Sequence, residues 1–366
     1  MATEESEAHF KRGAELHKQR DLDGAIAEYR KAQRLAPDDA LVCINIGNAL
    51  LAKGERDAAI AEYSEAVRLD PGHPVPHTTL GFALLGKGDM DGAILHYREA
   101  LRLNLDTPSV HNNLGNALFA KGEYEAAVTE YRAVVRLHPG YAPGFVNLGN
   151  ALDRLGDLDG AIAEYRAAVD LDAGNAEAHF ALGNGLASIG EHDPAAAEFR
   201  EVLRLKPGDP DAHYNLGNAL SAMGDLHAAV AEYREVLSAK PYFADAHYNL
   251  GSALNDLGKK QEAIHEFRES TWLRPESIEA RTRLGYAYAD DNNLESAITL
   301  FQEEVSRRPR DPDAHGHLGR VLMRSGDLER AIAAFREVLL LKPDDLSAEV
   351  NLAKCMALKR QEKSNP

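Results

Sequence analysis

Apolar positions recur at helical spacing in two blocks within each 34-residue stretch, with a short polar segment between the blocks. Residues 211–241, DAHYNLGNALSAMGDLHAAVAEYREVLSAKP, show the pattern, with Gly224 and Asp225 separating the runs. Each stretch therefore predicts a helix, a tight turn and a second helix. Three ladders hold the phase. Glycine stands at Gly13, Gly47, Gly81, Gly115, Gly149, Gly183, Gly217, Gly251, Gly285 and Gly319, with Ala353 at the next beat. Alanine follows twelve residues later, from Ala25 to Ala331, and an aromatic four residues beyond that, from Tyr29 to Phe335. These read as packing positions: small residues let helices approach closely, and the ring fills the gap between neighbouring repeats.

The punctuation agrees with the ladders. Gly54, Gly88, Gly122, Gly156, Gly190, Gly224, Gly258 and Gly326 suit a left-handed turn that ends the first helix, and Asn292 substitutes in the ninth repeat. Arg20 does not fit that rule. Prolines from Pro37 to Pro343 stop the second helices, whereas Leu105 and Ala173 break the series and predict two looser joints. Ten repeats fill residues 6–345, after a start at 1–5 expected to be disordered. Residues 346–366 form a capping helix and tail, with Lys354, Lys359, Arg360, Glu362 and Lys363 as its solvated face.

The pattern Leu-Gly-x-x-Tyr/Leu, then Ala, then Tyr/Phe, then Ala/Val, then Pro resembles the tetratricopeptide repeat (TPR). The resemblance implies an all-α, right-handed superhelical solenoid of helix-turn-helix repeats, whose first helices line a concave groove. Counting the first residue of each repeat as one, the family pattern turns positions two, five, six, nine and twelve toward that groove.

Asparagine fills two of those positions. Position six carries Asn45, Asn113, Asn147, Asn215, Asn249 and Asn351; position nine carries Asn48, Asn116, Asn150, Asn184 and Asn218. Each costs a helix roughly 0.5 kcal/mol against alanine, with no packing return evident in the sequence. A side-chain amide both donates and accepts, so such a ladder can hold the backbone of an extended peptide without reading its sequence. It is similar to the asparagine ladder in the TPR region of protein O-GlcNAc transferase. Duplication of one ancestral repeat is the competing explanation. Leu41, Ile44, Leu51, Val75, Phe82, Leu85 and Phe119 give repeats two to four an apolar groove or, alternatively, contacts with neighbouring helices. Phe180, Tyr214 and Tyr248 alternate with asparagine in later repeats. The family's carboxylate clamp is matched by Asn218, Asn249 and Arg283, but Tyr214 and Glu279 stand where it needs lysines, so this mode is rejected.

Composition narrows the classes. A formal charge of −17 argues against nucleic acid, which needs clustered Lys and Arg. The start lacks a secretory pattern and no stretch reaches the roughly 20 apolar residues of a membrane span, so no membrane insertion and a cytoplasmic location are expected. Cys43 and Cys355 read as buried thiols. Histidine recurs at position four (His9, His77, His111, His179, His213, His247 and His315), too widely spaced for a shared metal; it reads as an amphipathic filler or, alternatively, as a ladder that low pH charges and so loosens the stack. Trp272 stands where Arg34, Arg68, Arg102, Arg136 and Arg204 stand elsewhere, and marks a candidate secondary contact on an exposed edge.

No catalytic constellation, cofactor motif or metal site is expected. The reading is a non-enzymatic interaction scaffold that binds extended or helical segments of other proteins or peptides in its groove. The alternative is a substrate-recruiting subunit for a separately encoded modifying enzyme, such as an O-GlcNAc-type glycosyltransferase. Oligomeric state is open.

Overall fold

The computed structural model describes residues 2–364, and side chains from 4 to 361; every regular element among them is a helix. The chain divides into two compact bodies, Met1–Gly185 and Leu186–Pro366. The first holds α1 (Ala2–Lys18), α2 (Leu22–Leu35), α3 (Ala40–Ala52), α4 (Arg56–Leu69), α5 (Pro74–Lys87), α6 (Met90–Arg102), α7 (Pro108–Lys121), α8 (Tyr124–Leu137), α9 (Ala142–Arg154) and α10 (Leu158–Leu171). The boundary falls within α11 (Ala176–Ser188). The second holds α12 (His192–Leu205), α13 (Pro210–Ala222), α14 (Leu226–Ala239), α15 (Ala244–Asp256), α16 (Lys260–Leu273), α17 (Ile278–Asp290), α18 (Leu294–Arg307), α19 (Pro312–Ser325), α20 (Leu328–Leu341) and α21 (Leu346–Ser364).

Local chemistry sets these limits. Asp21, Asp89, Asp157, Asp225 and Asp327 each accept the amide three residues on, capping the second helix of their repeat. All eight turn glycines have φ between +75° and +89°. Arg20 adopts the same left-handed conformation at φ 63°, so the first repeat keeps the turn without a glycine. The joint at Leu105 is closed, not loose: Asn104 is left-handed at φ 65° and the Leu105 amide returns to the Ala100 carbonyl at 3.1 Å. At Ala173, α10 ends with the Asp172 amide on the Ala168 carbonyl at 3.0 Å, like its neighbours.

The ladders pack within a repeat. A Cβ built on Gly47, Gly149 or Gly285 would lie 2.4–2.5 Å from a ring carbon of Tyr63, Tyr165 or Phe301 respectively. The aromatic therefore seats on the glycine of its own first helix, not in a gap between repeats. The alanines at Ala25, Ala59, Ala93 and Ala127 are fully buried beside these rings.

Position four joins the helices by polar contact. His9, His111, His213 and His247 place Nδ1 2.6 Å from Glu28, Glu130, Glu232 and Glu266 on the second helix of their repeats. The Nε2 atoms of His213, His247 and His315 face the carbonyls of Pro207, Pro241 and Pro309 at 3.2, 3.0 and 2.9 Å. In repeat three the second-helix partner is itself a histidine, and His77 and His96 meet Nδ1 to Nδ1 at 3.0 Å. In repeat nine Arg281 takes the position and donates to Glu304 at 2.7 Å in a buried pair that Arg308 also joins.

At the termini, Ala2–Glu5 form the first turn of α1 where a disordered start was expected, with Ser6 buried and bonded to the Ala32 carbonyl at 3.1 Å; Met1 lies outside the described residues. The capping helix α21 exposes apolar Leu346 and Val350 as well as Lys354, so its outer face is mixed; the Glu362 and Lys363 side chains lie outside the described residues.

Candidate peptide-binding face

Within the first body α1 packs on α3, α3 on α5 and α5 on α7; within the second α13 packs on α15 and α15 on α17. Among the described residues no two successive second helices make contact of comparable extent. First helices therefore line the more closely packed side of each body, where positions two, five, six and nine emerge.

Position nine has a structural occupation. Asn48, Asn116, Asn150 and Asn218 each accept a hydrogen bond at 2.8 Å from the hydroxyl of Tyr63, Tyr131, Tyr165 and Tyr233, fifteen residues on in the same repeat. The packing return missing from the sequence reading is this bond: a buried phenol needs an acceptor, and the amide oxygen supplies it. Repeat three shows the consequence of losing it. Phe82 replaces the asparagine, and the Tyr97 hydroxyl is buried without a partner.

Position six is more varied. Asn45 donates to the Leu41 carbonyl of its own helix at 2.8 Å. Asn147 donates to Asn112 Oδ1 at 2.9 Å, across two repeats. Asn249 does the same in the second body, donating to Asn218 Oδ1 at 2.9 Å and lying 3.1 Å from the Tyr214 hydroxyl. Tyr233, Asn218, Asn249 and Tyr214 thus form one polar network, with the Tyr214 and Tyr233 rings 6.2 Å apart. Asn113 and Asn215 are half-buried, Asn184 is exposed, and Phe180 is half-buried. Tyr248 donates to Glu279 Oε1 at 2.6 Å, and burial followed by that carboxylate raises its hydroxyl pKa.

The apolar set divides. Leu41, Val75 and Phe82 are 52%, 37% and 56% exposed on the first-helix side, Leu51, Leu85 and Phe119 are half-buried, and Ile44 is core. At the joint of repeats four and five lies a recess of about 390 Å³ lined by Thr107, Pro108, Ser109, Asn112, His138 and Tyr141, the last two rings stacked at 5.5 Å. Sequence reasoning missed this recess. Ser109 and Asn112 hold positions two and five, so the groove register was the signal that could have found them. Among the described residues no three His, Cys, Asp or Glu side chains gather as a metal site, and no helix is long and apolar enough to cross a membrane.

Comparison with known proteins matches the tetratricopeptide repeat description over residues 78–142, 146–210, 214–278 and 282–348, with further repeat matches at 47–88 and 6–39. No curated protein matches the chain. Among solved structures, a tetratricopeptide repeat protein from Parabacteroides merdae is 17% identical with a TM-score of 0.51, covering 68% of this chain and 98% of its own. YrrB, described as a TPR protein with an unusual peptide-binding site, is 23% identical with a TM-score of 0.46, covering 54% and 97%. MamA 41-end from Desulfovibrio magneticus is 28% identical with a TM-score of 0.45, covering 46% and 96%.

Proposed function

The chain belongs to the tetratricopeptide repeat family, and from that membership we propose that it is a protein-interaction scaffold holding an extended peptide segment on its first-helix face. The observation that carries this reading is the exposed set Leu41, Val75 and Phe82 at groove positions of repeats two and three, with Asn113 and the recess at Ser109 and Asn112 at groove positions of repeat four in the same body. Apolar side chains of the peptide pack on this set, and amides such as Asn113 meet its backbone. In the second body Tyr248 offers a half-buried ring, while Asn249 keeps its amide hydrogens on Asn218 and Tyr214.

The asparagines divide accordingly. Asn48, Asn116, Asn150 and Asn218 are committed to tyrosines, which removes them as freely available ligand contacts and leaves position six, with Asn113, to meet a peptide. No specific contact favours the recruiting-subunit reading.

The test is selection of binders from a displayed peptide library, followed by calorimetry on Phe82→Ala, Asn113→Ala and Tyr248→Ala, each confirmed to be as helical as the parent. Loss of about tenfold or more in affinity in at least one variant supports the reading, by the usual scale for a contact that matters. Binders indifferent to all three changes would overturn it.

A further inference from the structure

Trp272 is 68% exposed at the end of α16 and lines a recess of about 500 Å³ with Tyr288, Glu295 and Glu303. The repeat register shows what is unusual here. Arg68, Arg102 and Arg204 occupy the same position in other repeats, and each pairs with a glutamate three residues earlier: Glu65, Glu99 and Glu201, at 2.6–2.7 Å. The equivalent glutamate before Trp272 is Glu269. The arginine that would neutralise it has been replaced by an indole.

We propose that this edge is a second docking site, separate from the first-helix face, and that it takes an arginine side chain of a partner protein. A guanidinium stacked on Trp272 gains the attraction of the indole face. It also recovers the carboxylate pairing that the register gives Arg68, Arg102 and Arg204, with Glu269 on the same helix and Glu295 and Glu303 across the recess. Among the described residues no cation stacks on Trp272. Arg268 lines the recess as well and Arg281 lies 3.6 Å from Glu303, so with Glu269 on the adjoining turn of α16 the carboxylates outnumber the cations three to two. Charge complementarity thus selects a basic occupant over an acidic one, and the planar donor fork favours arginine over lysine.

Trp272 is the chain's single tryptophan, so its fluorescence reports this site alone. The probes are Ac-Ala-Arg-Ala-Arg-Ala-NH2 and its lysine and glutamate counterparts, titrated at low salt. The arginine peptide is expected to give a saturable change, with the lysine peptide weaker and the glutamate peptide silent. Glu269→Gln with Glu295→Gln weakens the response by about fivefold or more, the scale of a cation over an aromatic with its counter-charge. Trp272→Arg, followed by calorimetry, abolishes binding by restoring the internal pair with Glu269. Phe82→Ala, on the first-helix face of the other body, leaves the response unchanged. A flat titration, a preference for the glutamate peptide, insensitivity to the glutamine changes, or equal loss in Phe82→Ala would each overturn the proposal.

Discussion

Asn116 accepts a hydrogen bond from the Tyr131 hydroxyl at 2.8 Å, tying the two helices of one repeat together. The same bond recurs in three other repeats and is broken at Phe82 and Tyr97, which makes the two tyrosines unequal. Tyr131→Phe leaves an amide oxygen without its donor and is expected to cost about 1 kcal/mol. Tyr97→Phe removes a hydroxyl that has no partner, and is expected to be neutral or stabilising by up to about 1 kcal/mol. Phe82→Asn supplies the missing acceptor and moves stability the same way. Urea denaturation midpoints of the three variants decide it; equal losses for both tyrosines would refute the assignment.

The glycine ladder makes a second paired prediction. At Gly149 an added Cβ would lie 2.5 Å from Tyr165, so Gly149→Val costs about 1–3 kcal/mol through overpacking. At Gly316, within α19, the nearest atom to an added Cβ is Val338 Cγ2 at 3.9 Å. Gly316→Ala therefore gains helix propensity at no steric cost, about 0.5–1 kcal/mol. Thermal melts that move in the same direction for both would contradict the packing described.

Protonation has opposite effects in different repeats. For His247, burial lowers the pKa, but the bonds to Glu266 and the Pro241 carbonyl outweigh it and leave it above the ordinary 6.5. Its contribution is complete below 6.5 and is lost as pH rises through the folded value. For His96, burial and then the facing His77 push the pKa below 6.5, so its contribution is present above 6.5 and is lost as pH falls through that range. Within the position-four ladder His247 thus runs against the alternative in which low pH loosens the stack, whereas His96, outside that ladder, runs with it. His247→Gln should reduce the loss of stability above pH 6.5 and His96→Gln the loss below it, read from denaturation midpoints across pH 5–8. Unchanged profiles would exclude both.

In repeat nine, Glu304→Gln leaves the buried Arg281 guanidinium with only the exposed Glu303 carboxylate at 3.6 Å and is expected to cost about 3 kcal/mol. Arg281→Met with Glu304→Leu removes both charges and is expected to recover most of that loss. A double variant as unstable as the single one would show that the pair does more than neutralise itself.

The helix-turn-helix repeats were legible because Gly47, Ala59 and Tyr63 recur in fixed phase, and fixed phase is what a one-dimensional stack imposes. The packing return of the position-nine asparagines was not legible, for a physical reason. Asn116 and Tyr131 lie on different helices, and a groove register states which way a side chain leaves its helix, not which partner it meets. The substitution of Phe82 for asparagine opposite Tyr97 was the visible trace. Arg20 was misread because the turn demands a left-handed backbone, not glycine itself. Trp272 was found as an exception to the arginine register, whereas its recess depends on α17 and α18 and had no linear signature.

Ten near-identical repeats raise a problem of address, since the glycine and aromatic seam is the same in each and cannot tell α17 which second helix is its own. The change that sets repeat nine apart lies in α18. The glutamate that pairs with the histidine in other repeats, Glu28, Glu130, Glu232 or Glu266, is Leu300 there, and the carboxylate stands four residues further on at Glu304, where every other repeat has Ala, Val or Ser. A first helix such as α13, misjoined to α18, would set His213 against Leu300 and bury Glu304 without Arg281. The displaced carboxylate thus marks α18 as the partner of α17.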